Sequence, residues 1–525
     1  MVALLAEMAV VMITTAVEQS PTIDEPVYVG TAVVYLQQHS LRYNPEHPPL
    51  GKLIIGTGLA FADVHLDPAF VGDQSQLGRR VLYESGNDPA RLLLLARIPV
   101  IVLTLLFGLV VFLFARDLAG AGGGLAALAL YAFSPDVIAN GSLATLDVPV
   151  AGFLLTSVWL LWRARHRPAL YLPLAGLALG AALATKMSAL AAVPVLPLLV
   201  VLSLRHARRT AGPGPSRTAR LLAPLAAIAV VVVIAVAVVW ISYLAVDPRL
   251  RWETPSDLPA VHGLRALVDR LPFPAQYRDG LHVQFGFEDQ VWGGFLFGRL
   301  YFGSLWYYLP AALLVKTPLG ALALWAAGTV VMVAIPRLRP AAPYVLVPTA
   351  VLLIAAMTGS RDLGVRYAIF VPMFLAVAAA GVVVVRRRWA HVAAAVLVVF
   401  AAVSSLWTFP YYLPYSNEAF GGPAETHLRL HDSNVDWGQD LGRLADRLRQ
   451  RYPHERIWLV YKGSGVPSSY GIDAADPFTV PAERVRGLLA VSDSAVVKAD
   501  GRLQALIDSS TPIDEVGHSI TIYHR

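Results

Sequence analysis

The chain has 525 residues, 56% of them hydrophobic, with a mean hydropathy of +0.57, too apolar for a soluble globular protein and indicative of a polytopic membrane protein. The formal charge of +6 does not indicate a nucleic-acid partner, because most arginines of the first 410 residues sit in short clusters between apolar runs, where topology signals belong. With no cysteine, disulfides and thiolate metal sites are excluded, and the bias towards Ala, Val, Arg and Gly points to a GC-rich bacterial genome.

A crossing of roughly 30 Å of hydrocarbon needs about 20 residues. Eleven runs are expected to serve: 1–17, 92–115, 120–139, 143–162, 168–185, 187–204, 220–246, 311–335, 340–358, 367–385 and 389–409. The first contains Glu7, lacks basic flanks and has no charged segment before it. It reads as a retained, slightly truncated helix rather than a cleaved signal peptide. The links 116–119, 163–167, 205–219, 336–339 and 386–388 carry the arginine clusters and alternate so as to share one side. The positive-inside rule makes that side cytoplasmic, with the amino terminus inside and the carboxyl terminus outside.

Three pieces then lie outside. Residues 18–91 form a first loop whose "LIIGTGLAFA" is too short to span and suits an interfacial helix. Residues 247–310 form a second loop, and 411–525 lose the apolar runs altogether. In this tail "DWGQDLGRLADRLRQRY" has helical spacing with Asp436 as N-cap. "RIWLVYKG", "GLLAVSDSAVV" and "HSITIYHR" read as strands. The expectation is an α-helical polytopic membrane domain, 1–410, followed by a small α/β domain, 411–525. No repeat of the transporter kind is evident.

The unusual polar residues collect on the outer face. Of only five lysines, Lys52, Lys186 and Lys316 all fall there. Snorkelling explains any one of them, but three on one face favour a shared anion site. Asp24 and Glu25 are adjacent in "PTIDEPVYVG", and Asp136 and Asp147 border the turn "SPDVIANGSLATLDVPV". Asp136 suits a turn or cap. Asp147 enters a span directly, where a charge needs a cavity or a partner. His47 in "NPEHPPLGK" suits a loop or the wall of a cavity. Arg361 and Arg366 in "GSRDLGVRY" lie outside against the topology rule, which calls for a phosphate or an acidic partner. Trp306 and Tyr307 in "LWYYLP" suit an interfacial aromatic belt, and their faces also suit stacking on sugar rings.

Taken together, "DE" after the first span, "HPPLGKL", "LDVP" and "LATKMSAL" resemble the protein O-mannosyltransferases and the related aminoarabinose transferases. These are C-type glycosyltransferases that use a polyprenyl-phosphate sugar. The later "WYYLPAALLVKTPLG", "GVRYAIFVPMF" and "SNVDWGQDL" resemble bacterial phospholipid-carrier-dependent members of that superfamily. The resemblance implies transfer of a hexose-type, mannose-like sugar to an extracytoplasmic hydroxyl of a protein, lipid or glycan, with inversion. It makes Asp24 the general base and gives Glu25 the task of positioning the acceptor or the loop. Lys186 with Arg361 or Arg366 would hold the donor phosphate, and His47, Lys52, Asp147, Lys316, Trp306 and Tyr307 would line the cavity. The tail departs from the lumenal domain of the eukaryotic enzymes, so a protein acceptor does not carry over.

The chemistry fits independently. A leaving phosphate oxygen needs fixed cations or a metal, and an attacking hydroxyl needs a carboxylate to take its proton. Mg²⁺ or Mn²⁺ bridging Asp24 and Asp147 suits hard oxygen ligands, although no spacing demands it. The alternative is a transporter or flippase of lipid-linked sugars, which should continue its polar residues to the cytoplasmic side.

Overall fold

The computed structural model describes residues 1–210 and 217–525. The middle of the expected basic link 205–219 lies outside the described residues. Helices start where the sequence supplies a proline or a capping side chain. Pro26, Pro49, Pro89, Pro135 and Pro168 sit in the first turns of Glu25–Gln38, Pro49–Leu59, Pro89–Ala132, Pro135–Gly141 and Pro168–Thr185, where a missing N–H costs no hydrogen bond. Asp88 caps the third of these by accepting from the N–H groups of Ala90 and Arg91.

The stretch Pro89–Ala132 is two antiparallel arms. Gly120 turns the chain at φ 76°, a conformation glycine adopts without a steric penalty. The arms then touch: Tyr131 Oη donates to the Thr104 carbonyl at 2.8 Å, and a Cβ on Gly124 would lie 2.9 Å from the Phe112 carbonyl. The reversal follows directly on the link expected at 116–119. Further along, Gly176 and Gly180 bring Pro168–Thr185 close to Arg217–Val246. An added Cβ would stand 2.9 Å from the Val231 carbonyl and 2.8 Å from that of Ala235, the small-residue contact by which membrane helices approach.

Among the described residues, four helices are long and apolar enough to cross a membrane: Pro89–Ala132, Pro168–Thr185, Leu222–Val246 and Arg388–Trp407. A fifth follows if Tyr308–Lys316 and Leu319–Ala334, bent by 120°, form one span. The runs expected at 1–17, 143–162 and 340–358 are helices of 17, 17 and 16 residues, Val2–Glu18, Asp147–Arg163 and Ala342–Met357. At 1.5 Å per residue these reach about 25 Å, short of the full hydrocarbon thickness. The runs at 120–139, 187–204 and 367–385 are interrupted, by the restart at Pro135, by the 3₁₀ turn Met187–Ala192 and by the 3₁₀ turn Ala380–Val384. The protein is a multi-pass helical membrane protein, with several of its apolar segments broken near one end of the bundle or the other.

Those ends differ in charge. Arg163 Nε donates to Asp117 Oδ2 at 2.8 Å, and Arg165 Nη2 meets His206 Nδ1 at 3.0 Å, so three basic links gather at one end. Asp147 opens the helix that Arg163 closes, which separates the two by about 24 Å.

In the second loop, β1 (Gly293–Leu296) and β2 (Arg299–Phe302) form an antiparallel hairpin. In the tail, β3 (Ile457–Val460), β4 (Ala474–Ala475), β5 (Leu488–Ser492), β6 (Thr511–Val516) and β7 (Ile520–His524) form a sheet in the order β4-β3-β5-β7-β6. β3 runs parallel to β4 and β5, and β7 runs antiparallel to β5 and β6. Every β5 residue is buried, because helix Leu441–Arg451 covers one face and helix Gly501–Asp508 the other.

Two expectations shift. Tyr412, Leu413, Leu430, Val435 and Trp437 pack into the main helical core, so the layered α/β unit starts near Leu441 rather than at 411. The tail helix also starts at Leu441 rather than after Asp436, because Gly438 sits at φ 90° and breaks the helical path. Asp436 instead accepts from the N–H groups of Gly438 (3.1 Å) and Ser494 (3.2 Å), tying the tail's first turns to its sheet.

Burial pushes the Asp436 carboxyl up to about 7, with Lys462 opposing and Asp493 adding to the shift. The folded state therefore holds this proton more tightly than the unfolded chain, whose aspartates titrate near about 3.9. Stability from this group is present at low pH and is lost as pH rises towards 7. Asp436→Asn should melt higher than the wild type at pH 8, and the difference should narrow at pH 5 and close only below about pH 4, as read by thermal unfolding of the detergent-solubilised protein.

Candidate active site

Asp24 immediately precedes helix Glu25–Gln38, and backbone bonds to the tail fix the strand leading to it. Ser20 N–H donates to the Gln439 carbonyl and Ile23 N–H to the Trp437 carbonyl, both at 3.0 Å. Ser464 Oγ donates to the Ile23 carbonyl at 2.8 Å. So placed, Asp24 Oδ2 meets Arg366 Nη1 at 2.5 Å. Arg366 comes from the 3₁₀ turn Val365–Ala368, and its guanidinium lies 4.2 Å from the Trp437 ring centroid and 5.1 Å from that of Tyr367.

The same Nη1 is 4.0 Å from Asp147 Oδ2. Asp147 Oδ1 accepts from Lys186 Nζ at 2.5 Å, and Lys186 sits where helix Pro168–Thr185 ends. Four charges thus alternate in sign, Asp24, Arg366, Asp147 and Lys186. Arg366 is nearly sealed, whereas the Asp24 side chain keeps 28% of its surface open. Only one carboxylate of the adjacent pair Asp24 and Glu25 can meet a ligand.

Glu25 is the other, and it is fully buried. Arg97 Nε and Nη2 grip its two oxygens at 2.7 and 2.6 Å, and it also accepts from Thr22 N–H (2.9 Å), Thr22 Oγ1 (3.1 Å) and Ala144 N–H (2.8 Å). Arg97 spends its remaining donors on the carbonyls of Ala16, Gln19 and Ser20. Glu25 therefore shapes the loop and touches nothing that enters from solvent.

The remaining expected residues divide. His47 lies beside the relay, its ring 5.9 Å from that of Tyr28. Burial and then Lys186, Lys52, Arg361 and Arg366 hold its imidazole well below the usual histidine range, so it is neutral amid four cations, and its Nδ1 has no partner. Arg361 is half-buried on Glu288 (2.8 Å) and Gln284 (2.9 Å). Lys52 is fully buried and binds the Asn44 and His47 carbonyls at 2.8 and 2.6 Å, so it clamps the loop that carries His47. Lys316 is likewise buried, on the carbonyls of Leu413 (2.5 Å) and Asn434 (3.0 Å) and on Asp136 (3.4 Å). These two lysines and Asp136 are structural clasps. Trp306 and Tyr307 are 69% and 44% exposed, on the surface as a belt would be.

Sequence reasoning missed Arg97, Trp437 and Tyr367. Arg97 had a signal, a lone charge within "LLLLARIPVIVL", where an ionisable group needs a partner. Trp437 and Tyr367 had none, since stacking on Arg366 depends on segments far apart in the chain. A bridging metal does not fit the donor set. Asp24 and Asp147 are each paired with a cation and are bridged by Arg366, and no group of three ligating side chains occurs among the described residues.

Residues 1–246 match the family of dolichyl-phosphate-mannose-protein mannosyltransferases. That stretch holds Asp24, Asp147 and Lys186, and it stops short of Arg366 and the tail. Among solved structures, ArnT from Cupriavidus metallidurans bound to undecaprenyl phosphate is similar at 16% identity and a TM-score of 0.49, over 99% of this chain and 97% of that one. The protein O-mannosyltransferase Pmt1-Pmt2 complex of S. cerevisiae, bound to the sugar donor, is similar at 19% identity and a TM-score of 0.37, over 48% and 34%. The Archaeoglobus fulgidus oligosaccharyltransferase tethered to an acceptor peptide is similar at 12% identity and a TM-score of 0.41, over 97% and 72%. No curated protein matches the sequence.

Removing one partner of a buried ion pair costs about 3–5 kcal/mol. Glu25→Gln should therefore lower the thermal midpoint of the full chain in detergent by several degrees. Asp24→Asn, at a partly open carboxylate, should move it far less.

Proposed function

We propose that this protein is a glycosyltransferase that moves a hexose-type, mannose-like sugar from a polyprenyl-phosphate donor to the hydroxyl of an extracytoplasmic acceptor. The observation that carries this reading is the Asp24–Arg366–Asp147–Lys186 relay, in which an open carboxylate adjoins buried cations. The family match over the segment that supplies three of those residues supports it.

Donor phosphate enters among Lys186, Arg366 and Arg361, the cations already converging on neutral His47. The acceptor oxygen attacks the anomeric carbon, the bond from that carbon to the phosphate oxygen breaks, and the carrier phosphate leaves with the electron pair. Asp24 takes the hydroxyl proton as the bond forms, and Arg366 and Lys186 balance the charge left on phosphate. A single displacement inverts the configuration at the anomeric carbon. No step requires a metal.

The acceptor is a protein, lipid or glycan reached from outside the cell. We place the protein in the plasma membrane of a bacterium, with the amino terminus cytoplasmic and the tail outside. The gathering of arginine-rich links at the end opposite the relay supports this orientation. The transport alternative gains nothing from this arrangement, because the relay's charges stay at one end.

Purified protein given a labelled polyprenyl-phosphate sugar and a mixed acceptor pool should transfer label. Asp24→Asn should lower transfer by a factor of about 10²–10⁴ with the thermal midpoint nearly unchanged. Lys186→Gln should chiefly weaken retention of the lipid donor. Unchanged turnover in Asp24→Asn would remove Asp24 as the base.

A further inference from the structure

The arginine-rich end of the bundle holds a cavity of about 300 Å³, lined by Asp117, Trp162, Arg163, His166, Arg167 and Tyr171. That is the lower end of the range for small-molecule sites, about 300–1,000 Å³. Helix Asp147–Arg163 ends at the cavity and helix Pro168–Thr185 begins at it, so it lies about 24 Å along the first of these from the relay.

The polar groups here are nearly all donors. Asp117 is the only acid in the links 116–119, 163–167, 205–219, 336–339 and 386–388, and both its oxygens are taken. Oδ2 accepts from Arg163 Nε at 2.8 Å and Trp159 Nε1 at 3.0 Å, and Oδ1 accepts from Arg163 Nη2 at 3.1 Å. Arg163 Nη1 carries two hydrogens, and one of them goes to Tyr171 Oη at 3.3 Å. Arg167 is exposed, and among the described residues its guanidinium has no hydrogen-bond or ion-pair partner. Arg165 is buried behind the wall, 3.9 Å from the Trp162 ring centroid, and it meets His206 rather than an acid. Arg163 and Asp117 cancel, so the charge of Arg167 is left over at the cavity, and Arg165 adds to it from behind.

A merely solvated turn would leave its arginines loose in water. Arg163 is instead held between two rings, 5.1 Å from the Trp159 centroid and 5.7 Å from that of Tyr171, and a donor fixed before its ligand arrives loses less entropy on binding. One flank is apolar. Leu170, Leu174 and Leu177 are exposed, and their spacing of four and three residues makes one stripe that runs from the cavity along a span.

We propose that this cavity binds the phosphate of an anionic phospholipid, held by Arg163 and Arg167 with Tyr171 Oη donating, while an acyl chain lies along Leu170, Leu174 and Leu177. A soluble phosphate ester offers the same group to the arginines, and the leucine stripe is what assigns the site to lipid. Bound there, the lipid ties the end of one helix to the start of the next. The far ends of the same two helices supply Asp147 and Lys186 to the relay, so the site steadies the hairpin that carries half of the relay's charges. In the orientation proposed above it lies in the cytoplasmic leaflet. Nothing in it depends on what the protein transfers.

The test uses the full chain, delipidated in a neutral detergent, with phosphatidylglycerol, phosphatidylcholine and inorganic phosphate titrated separately. Wild-type protein should melt higher as phosphatidylglycerol is added and should not respond to phosphatidylcholine. Arg167→Gln should weaken the phosphatidylglycerol response by about 10–100-fold in concentration, as expected when a charge-assisted hydrogen bond is lost. Without lipid this variant should melt with the wild type, which shows that it is folded. Arg387→Gln removes an exposed arginine from a different basic link and should leave the response unchanged. Equal responses in Arg167→Gln and the wild type overturn the proposal. Equal weakening in both variants overturns it too, by assigning the effect to diffuse surface charge. A wild-type response to phosphatidylcholine as strong as to phosphatidylglycerol rules out recognition of an anionic headgroup. Stabilisation by inorganic phosphate at the same concentrations as by phosphatidylglycerol overturns the lipid and leaves a soluble phosphate as the ligand.

Discussion

The structure depends on one buried ion pair, Arg97 with Glu25. A guanidinium placed in the apolar part of a helix is costly unless every donor finds an acceptor. Arg97 meets that requirement with one carboxylate and three backbone carbonyls. The acceptors come from Ala16, Gln19, Ser20 and Glu25, so the path between the first helix and the second is held at each bend. Glu25 extends the hold by accepting from Ala144 N–H, in the turn that leads into Asp147. Adjacent residues do not share a face, so fixing Glu25 inward directs Asp24 away from it, towards Arg366. The two carboxylates of one dipeptide thus receive different tasks.

The tail is part of the site's wall. Trp437 lies under the Arg366 guanidinium, the Asn434 carbonyl accepts from Lys316, and Asn434 Oδ1 accepts from Val365 N–H at 3.0 Å. Gly364 allows this approach, since a Cβ there would stand 2.2 Å from Ser433 Oγ. Residues 411–440 therefore fold with the helices, and removing the whole tail would also remove the floor beneath Arg366. Acceptor recognition has to be probed by single side chains in the α/β unit.

Electrostatically the molecule has two unlike ends. At one, arginines gather, with Asp117 as the acidic partner of Arg163, which suits an interface with anionic headgroups. At the other, acids and bases alternate under cover of the tail. Helix Asp147–Arg163 joins the two and holds them about 24 Å apart.

The sequence by itself determined the class of the protein and the face on which its chemistry lies. Runs of apolar residues, arginine clusters between them and a polar tail are local features, and burial in lipid and charge placement act on them directly. The reversal after the link 116–119 follows from the same local reading, as do β3, β5 and β7 of the tail, whereas β4 and β6 were not legible in it. What each charged residue does was decided only by tertiary structure. Lys52, Lys186 and Lys316 look alike in sequence, yet two close loops and clasps and one pairs with Asp147. Asp24 and Arg366 are 342 residues apart, and their contact exists because Arg97 bends one segment and Trp437 supports the other. Pairing of buried charges depends on which segments meet. That follows from packing across the whole chain and leaves no periodic trace along it.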